Sequence, residues 1–160
     1  MTKIAILMGS DSDAEALKPA AEVLKRFGVP YTARVLSAHR TPDETVAFAK
    51  AAGKDGYRVI IAAAGGAAHL AGVVAANTCL PVIGIPVETS AMKGMDSLLS
   101  TVQMPAGTPV ATVAVGPGGV RNAAFLALRI LALEDAKIAK ALEDYKDDNR
   151  RKTLDKKVEL

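Results

Sequence analysis

The sequence predicts an α/β sandwich in which a parallel sheet is covered by helices on both faces. Two observations lead there. Short apolar runs rich in Ile, Val and Ala alternate with longer stretches of helical spacing, the pattern of successive right-handed βαβ crossovers. The chain has 160 residues, 50% apolar and 23% charged, which suits one domain with a substantial core and excludes a disordered chain. No repeat or linker divides it, so residues 1–160 are expected to form a single domain with a charged tail over 146–160.

Each element has its own justification. Lys3–Met8 (KIAILM) reads as the first strand, ended by Gly9. From Ser12 the apolar residues Leu17, Ala21, Leu24 and Phe27 recur at helical spacing, and Gly28 is the expected C′ stop. Pro19 predicts a kink or a late start, because it removes one helical N–H and crowds the preceding turn. Tyr31–Leu36 is the second strand. A helix from Pro42 follows, with Thr41 as N-cap and Glu44 completing a capping box. Arg58–Ala63 is the third strand, and the alanine-rich Ala67–Asn77 a closely packing helix. Pro81–Pro86 and Val110–Val115 are the fourth and fifth strands. One long C-terminal helix is predicted from about Val120 to Tyr145, carrying Leu126, Ile130, Leu133, Ile138 and Leu142. Five such units fit a flavodoxin-like three-layer sandwich with strand order 2-1-3-4-5. Ligands in that arrangement sit beyond the carboxyl ends of the strands, so the loops after the first three strands should hold the chemistry.

Composition narrows the function classes. The net charge is +3, but up to Tyr145 there are 14 basic and 13 acidic residues; the tail adds six and four. A near-neutral body with 4% aromatics and no Trp has little with which to bind nucleic acid. The single cysteine, Cys79, excludes an intramolecular disulfide and suits a reducing, cytoplasmic setting. Cys79 itself is expected to pack as a small apolar residue. With His39 and His69 it forms no familiar zinc spacing, so no metal is expected. No signal-peptide pattern opens the chain, since Lys3–Met8 is too short. The uncharged stretch between Arg58 and Glu88 is interrupted by Gly65, Gly66, Gly72, Pro81, Gly84 and Pro86. It reads as two buried strands flanking a helix, not as a membrane span.

Three loops carry candidate chemistry. In Gly9-Ser10-Asp11-Ser12-Asp13, a glycine and two hydroxyls at a helix start can present donors to a phosphate. The plainer role is Ser12 or Asp13 as helix cap, and the two carboxylates require at least one to face elsewhere. In Ser37-Ala38-His39-Arg40-Thr41-Pro42, His39 is a general acid–base candidate on a loop, and Arg40 can clamp a phosphate or carboxylate. An exposed turn capped by Ser37 or Thr41 explains the same residues. In Ala64-Gly65-Gly66-Ala67-Ala68-His69, paired glycines let the backbone approach a ligand and open a helix toward it. A tight turn with His69 on a helix face is the simpler account. What favours function is convergence of all three loops at one sheet edge. Gly116-Pro117-Gly118-Gly119 is a fourth glycine-rich turn, read as a rim or a tight connection.

The motifs MGSDSD, SAHRTP and GGAAHL, with VQMP at 102–105, resemble the catalytic subunit family of phosphoribosylaminoimidazole carboxylase, over Lys3 to about Tyr145. Within that family the chain is similar to the bacterial class I form. The resemblance implies a step of purine biosynthesis that moves a carboxylate within N5-carboxyaminoimidazole ribonucleotide, from the exocyclic nitrogen to ring carbon 4. It implies a small-molecule nucleotide substrate, no cofactor and a homo-octamer. By position, Ser10, Asp13 and Arg40 match substrate-binding residues and His39 the catalytic histidine. Gly65, Gly66, Ala67, Ala68 and His69 match a loop closing over the base and carboxylate, and Ser12, Ser37 and Ala38 complete the candidate binding set. Ala63 stands where glycine is usual, Ala71 where proline is usual, and Gly116–Gly119 with Arg121 replace a small-residue turn; these bear on how the third loop closes.

Other functions have distinct signatures. A direct carboxylase of the same family would take aminoimidazole ribonucleotide and carbon dioxide. A flavodoxin-like electron carrier would need aromatics to sandwich a flavin. A receiver domain would need an aspartate where Ala62-Ala63-Ala64 ends the third strand. A purely structural protein would bind no nucleotide.

Overall fold

Alternation along the strands decides which helices lie on which face. In a computed structural model, which describes residues 4–158, five parallel strands run β1 (Ile4–Met8), β2 (Tyr31–Val35), β3 (Val59–Gly65), β4 (Val82–Val87) and β5 (Ala111–Thr112). Their spatial order is β2-β1-β3-β4-β5, as expected. Lys3, the expected start of the first strand, lies outside the described residues. Ile4, Ile6, Val59, Ile61, Ile83 and Ile85 point to one face. There they bury against Leu17, Ala20 and Leu24 of α1 (Ala14–Arg26) and Ala124, Ala127 and Leu128 of α5 (Pro117–Ala132). Ala5, Leu7, Ile60, Ala62 and Val82 point to the other, against α2 (Pro42–Ala51) and α3 (His69–Ala75). Central strands buried on both faces are what an all-parallel sheet requires.

Helix ends follow local chemistry. Gly28 stops α1 in the left-handed region (φ +66°). Its N–H reaches the Lys25 carbonyl, and that of Val29 the Leu24 carbonyl, a Schellman closure. At the other end a 3-10 turn, Asp11–Asp13, precedes the helix, and Ser10 rather than Ser12 or Asp13 supplies the side-chain cap. The helix runs on through Pro19. The carbonyl that Pro19 leaves without a helical partner belongs to Glu15, an exposed residue that water can serve.

Four expectations need correction. Thr41 is the N-cap residue of α2 but forms no capping box. Its Oγ1 turns back instead, accepting from Ser37 N (2.9 Å) and donating to Ser37 O (3.1 Å). The long C-terminal helix is two, α5 and α6 (Ala136–Leu154). They separate because Asp135 caps α6, accepting from the N–H groups of Lys137 and Ile138. The last helix also takes in residues 146–154 of the charged tail. The fifth strand shrinks to an edge pairing of Ala111 and Thr112 with Ile83 and Gly84. Cys79 is exposed rather than packed.

One helix was not anticipated. α4 (Met95–Val102) buries Ser97 and Thr101, while Met95, Leu99 and Val102 stand about half exposed. Its apolar residues have helical spacing, but three of them face outward, so the spacing marks a helix and misplaces its buried face. Gly84 lets it lie close: a Cβ there would meet Thr101 Cγ2 at 2.5 Å and Val110 Cγ1 at 2.7 Å. No helix among the described residues is long and apolar enough to cross a membrane. Because both clashing partners are stiff β-branched side chains, Gly84→Ala should lower stability by about 1–3 kcal/mol. Urea denaturation measures this, and an unchanged midpoint would contradict the close packing of α4 on β4.

Candidate active site

The sheet register brings three loops level. Met8 pairs with Val35 on one side and Ala63 on the other, so the chain leaves β1, β2 and β3 at nearly the same height. Their loops enclose a cleft of about 360 Å³. The first loop gives it Gly9, Ser10 and Asp13; the second gives Ser37, Ala38, His39 and Arg40; the third gives Ala64, Gly65, Ala68, His69 and Leu70. Of the sequence candidates, Ser12, Gly66 and Ala67 do not line this wall. Gly9, Ala64 and Leu70 also line it; they lie within the candidate loops and motifs but were not given a binding role of their own.

In the first loop the acidic residues are already engaged. Asp13 Oδ2 accepts the Ser10 N–H at 3.2 Å, while Ser10 Oγ accepts the Ser12 N–H at 3.3 Å. Asp11 Oδ1 accepts from Ser12 N and from Ser10 Oγ, which keeps that carboxylate on its own loop. Burial pushes the Asp13 pKa up, and the nearby Asp11 charge adds to this; the Ser10 N–H and the Arg40 guanidinium pull it back.

The second loop is tied at both ends. Ser37 is buried, and its Oγ accepts from the Arg40 backbone N–H (3.2 Å) and from Arg40 Nε (3.4 Å). Arg40 Nη2 donates in turn to the Gly9 carbonyl, joining the second loop to the first. The guanidinium is thus fixed at the cleft wall with donors to spare.

In the third loop Gly66 (φ +64°) and Ala68 (φ +48°) both take left-handed backbone. For alanine this is an uncommon, strained state, of the kind that gathers at functional sites. It sets His69 at the first position of α3, facing the second loop. His39 Nε2 and His69 Nδ1 lie 2.6 Å apart with their rings nearly perpendicular. One of the two nitrogens donates and the other accepts, so a single proton sits between the rings. His69 is therefore not an isolated helix-face histidine. The Gly66 N–H is turned away from the cleft, bonding to Ser97 Oγ on α4 at 2.9 Å.

The arrangement has two chemical ends. Ser10, Arg40 and main-chain groups can hold an anion; the imidazole pair can hold or move a proton. Among the described residues no group of three or more His, Cys, Asp or Glu is placed to bind a metal ion. A wider groove between α5 and α6, about 920 Å³, is lined by Phe125, Arg129 and Tyr145 among others and contains none of the candidates.

Residues 3–152 match the family described as AIR carboxylase. The chain belongs to the AIR carboxylase family. It is 52% identical to the N5-carboxyaminoimidazole ribonucleotide mutase of Saccharolobus solfataricus, over 99% of each chain. The Brucella melitensis protein of the same name is 55% identical, over 89% of this chain and 88% of its own. The crystal structure of Treponema denticola PurE superimposes with a TM-score of 0.85 at 34% identity, covering 94% of this chain and 93% of that one. In this AIR carboxylase family member the matched span contains all three cleft loops.

Asp13 yields a prediction about pH. Its pKa is raised on folding, so the native state holds that proton more tightly than the unfolded chain. The ionised carboxylate weakens the fold once pH rises past the folded value, and that cost is absent below the ordinary value of 3.8. Asp13→Asn should therefore melt above wild type at about pH 7, with the difference fading toward about pH 3. Calorimetric melts across that range check this, and a variant melting lower at neutral pH would contradict the burial cost.

Proposed function

We propose that the protein is an isomerase of purine biosynthesis, converting N5-carboxyaminoimidazole ribonucleotide to 4-carboxy-5-aminoimidazole ribonucleotide. The observation that carries this reading is the near-complete match, at 52% identity, to a relative named as that mutase. The cleft supports it with a cationic, hydroxyl-bearing wall beside an imidazole pair.

The nucleotide phosphate docks on Ser10, Arg40 and the exposed hydroxyl of Ser12, and Asp13 takes a ribose hydroxyl. Ser37 and Ala38 shape the floor beneath. Protonated His39 gives its proton to the exocyclic nitrogen as the bond from that nitrogen to the carboxylate carbon breaks, releasing carbon dioxide. The gas stays beside the ring, against the third loop from Gly65 to His69, once the bound nucleotide has displaced water from the cleft. Ring carbon 4 attacks it, forming the new carbon–carbon bond. Neutral His39 then removes the proton from carbon 4 and restores aromaticity. Protons balance, one histidine serves as acid and then base, and no step calls for a metal or organic cofactor. The 2.6 Å contact with His69 supports this role by holding the His39 ring toward the cleft.

Two measurements test the reading. His39→Asn should still bind nucleotide by calorimetry but turn over at least about a hundredfold more slowly; near-normal turnover would discard the assignment. Assays without ATP on each substrate should show conversion of N5-carboxyaminoimidazole ribonucleotide. A protein that instead only carboxylates aminoimidazole ribonucleotide with carbon dioxide would be a direct carboxylase.

We further propose a cytoplasmic homo-octamer. The half-exposed apolar residues Met95, Leu99 and Val102 of α4, with Met92 just before it, offer a surface for a contact between subunits. Light scattering should give a mass about eight times the 16.6 kDa chain. A monomer mass would contradict it.

A further inference from the structure

The rungs between β3 and β4 end where Gly65 lies opposite Val87. Beyond that point the two chains diverge, β3 toward the cleft and β4 toward α4. Ser97 bridges the gap, while Ser100 Oγ makes a longer, exposed contact with the Gly66 carbonyl at 3.5 Å. Ser97, fully buried in the first turn of α4, accepts the Gly66 N–H at 2.9 Å and donates to the Val87 carbonyl at 2.7 Å. A serine inside a helix ordinarily turns to solvent or bonds a carbonyl one turn back in its own helix. Thr101 does the latter, with Oγ1 on Ser97 O at 2.7 Å. Both of Ser97's strong partners instead lie outside α4, at the ends of two different strands.

The surroundings reinforce this link. Thr89 Oγ1 donates to the carboxylate of Asp96, the residue before Ser97 (3.0 and 2.9 Å). A Cβ on Gly65 would sit 3.2 Å from Thr89 Cγ2, so the loop after β4 leaves little room for a side chain at the glycine that lines the cleft. Gly66 takes its left-handed conformation at the atom Ser97 holds. Without the hydroxyl, the half-buried Gly66 N–H and Val87 carbonyl lose this shared partner together, and each must take water in its place.

We propose that Ser97 is a positioning residue that, through Gly66, keeps Gly65 in place on the cleft wall, so that carbon dioxide freed from the carbamate is retained until the ring carbon attacks it. The proposal rests on the decarboxylation and recarboxylation sequence set out under Proposed function. Ser97 touches no reacting atom; it acts through the main chain of Gly66. Its signature is therefore loss of coupling rather than loss of nucleotide binding.

The test measures free aminoimidazole ribonucleotide released per 4-carboxy product formed, with kcat and KM, from N5-carboxyaminoimidazole ribonucleotide. Ser97→Ala is expected to raise that ratio about tenfold and lower kcat while KM stays within about threefold. Thr101→Val is the control, since it removes a buried hydroxyl from the same helix without touching the turn; its ratio should stay at the wild-type value even where it melts lower. If Ser97→Ala does not fold, Ser97→Cys, whose thiol is a poor donor and acceptor, is read in its place with the same expectation. Wild-type coupling in the Ser97 variant, or equal leakage in Thr101→Val, overturns the proposal while leaving the mutase reading intact. A wild-type protein that forms no 4-carboxy product from this substrate overturns both.

Discussion

Parallel pairing of β1 with both β2 and β3 is the constraint on which the site depends. It sets Met8 level with Val35 and Ala63, so three loops with different contents leave the sheet side by side. None of them is a site alone. The first has hydroxyls but also two carboxylates, the second a cation beside an imidazole, the third a glycine turn and another imidazole. Cross-loop contacts convert proximity into geometry: Arg40 onto the Gly9 carbonyl, His39 onto His69, Gly66 onto Ser97. A one-residue slip in either pairing would turn every strand side chain to the other face and set the loops at different heights.

The site also shows where this fold accepts cost. Ala68 holds left-handed backbone that glycine would adopt freely, and Asp13 is partly buried at a position where a neutral side chain would be easier to accommodate. Both lie on the cleft wall. The core beneath has no such features: apolar side chains of β1, β3 and β4 fill both layers, and no buried side-chain nitrogen or oxygen among the described residues lacks a partner. Stability is concentrated in the sheet, and the strained geometry is confined to the loops it supports.

Much of this was legible in the sequence because it is local. Strand order followed from the βαβ alternation, the end of α1 from Gly28, and the position of the cleft from strands that all carry their chemistry at one end. What escaped was decided by competing contacts that the residue pattern does not reveal, some local and some distant in sequence. Thr41 had the capping pattern, but its hydroxyl is taken by Ser37. The apolar spacing from Ile130 to Ile138 continued across a break that Asp135 makes by capping the next helix. α4 carries Met95, Leu98, Leu99 and Val102 at helical spacing, but this periodicity does not tell which face is buried, and here Ser97 and Thr101 are. The pairing of His39 with His69, thirty residues apart, could be placed at one edge but not brought to contact by pattern alone.

The central claim is that a histidine held against a second imidazole faces the heterocycle of a nucleotide whose phosphate is gripped by the first two loops. A crystal structure with the 4-carboxy product bound tests it most directly. The account predicts phosphate oxygens on Ser10 and Arg40, and a His39 ring nitrogen within about 3.2 Å of the exocyclic amine or of the substituent on carbon 4. A nucleotide seated elsewhere, such as the groove between α5 and α6, or a His39 ring turned to solvent with the cleft filled, would contradict it.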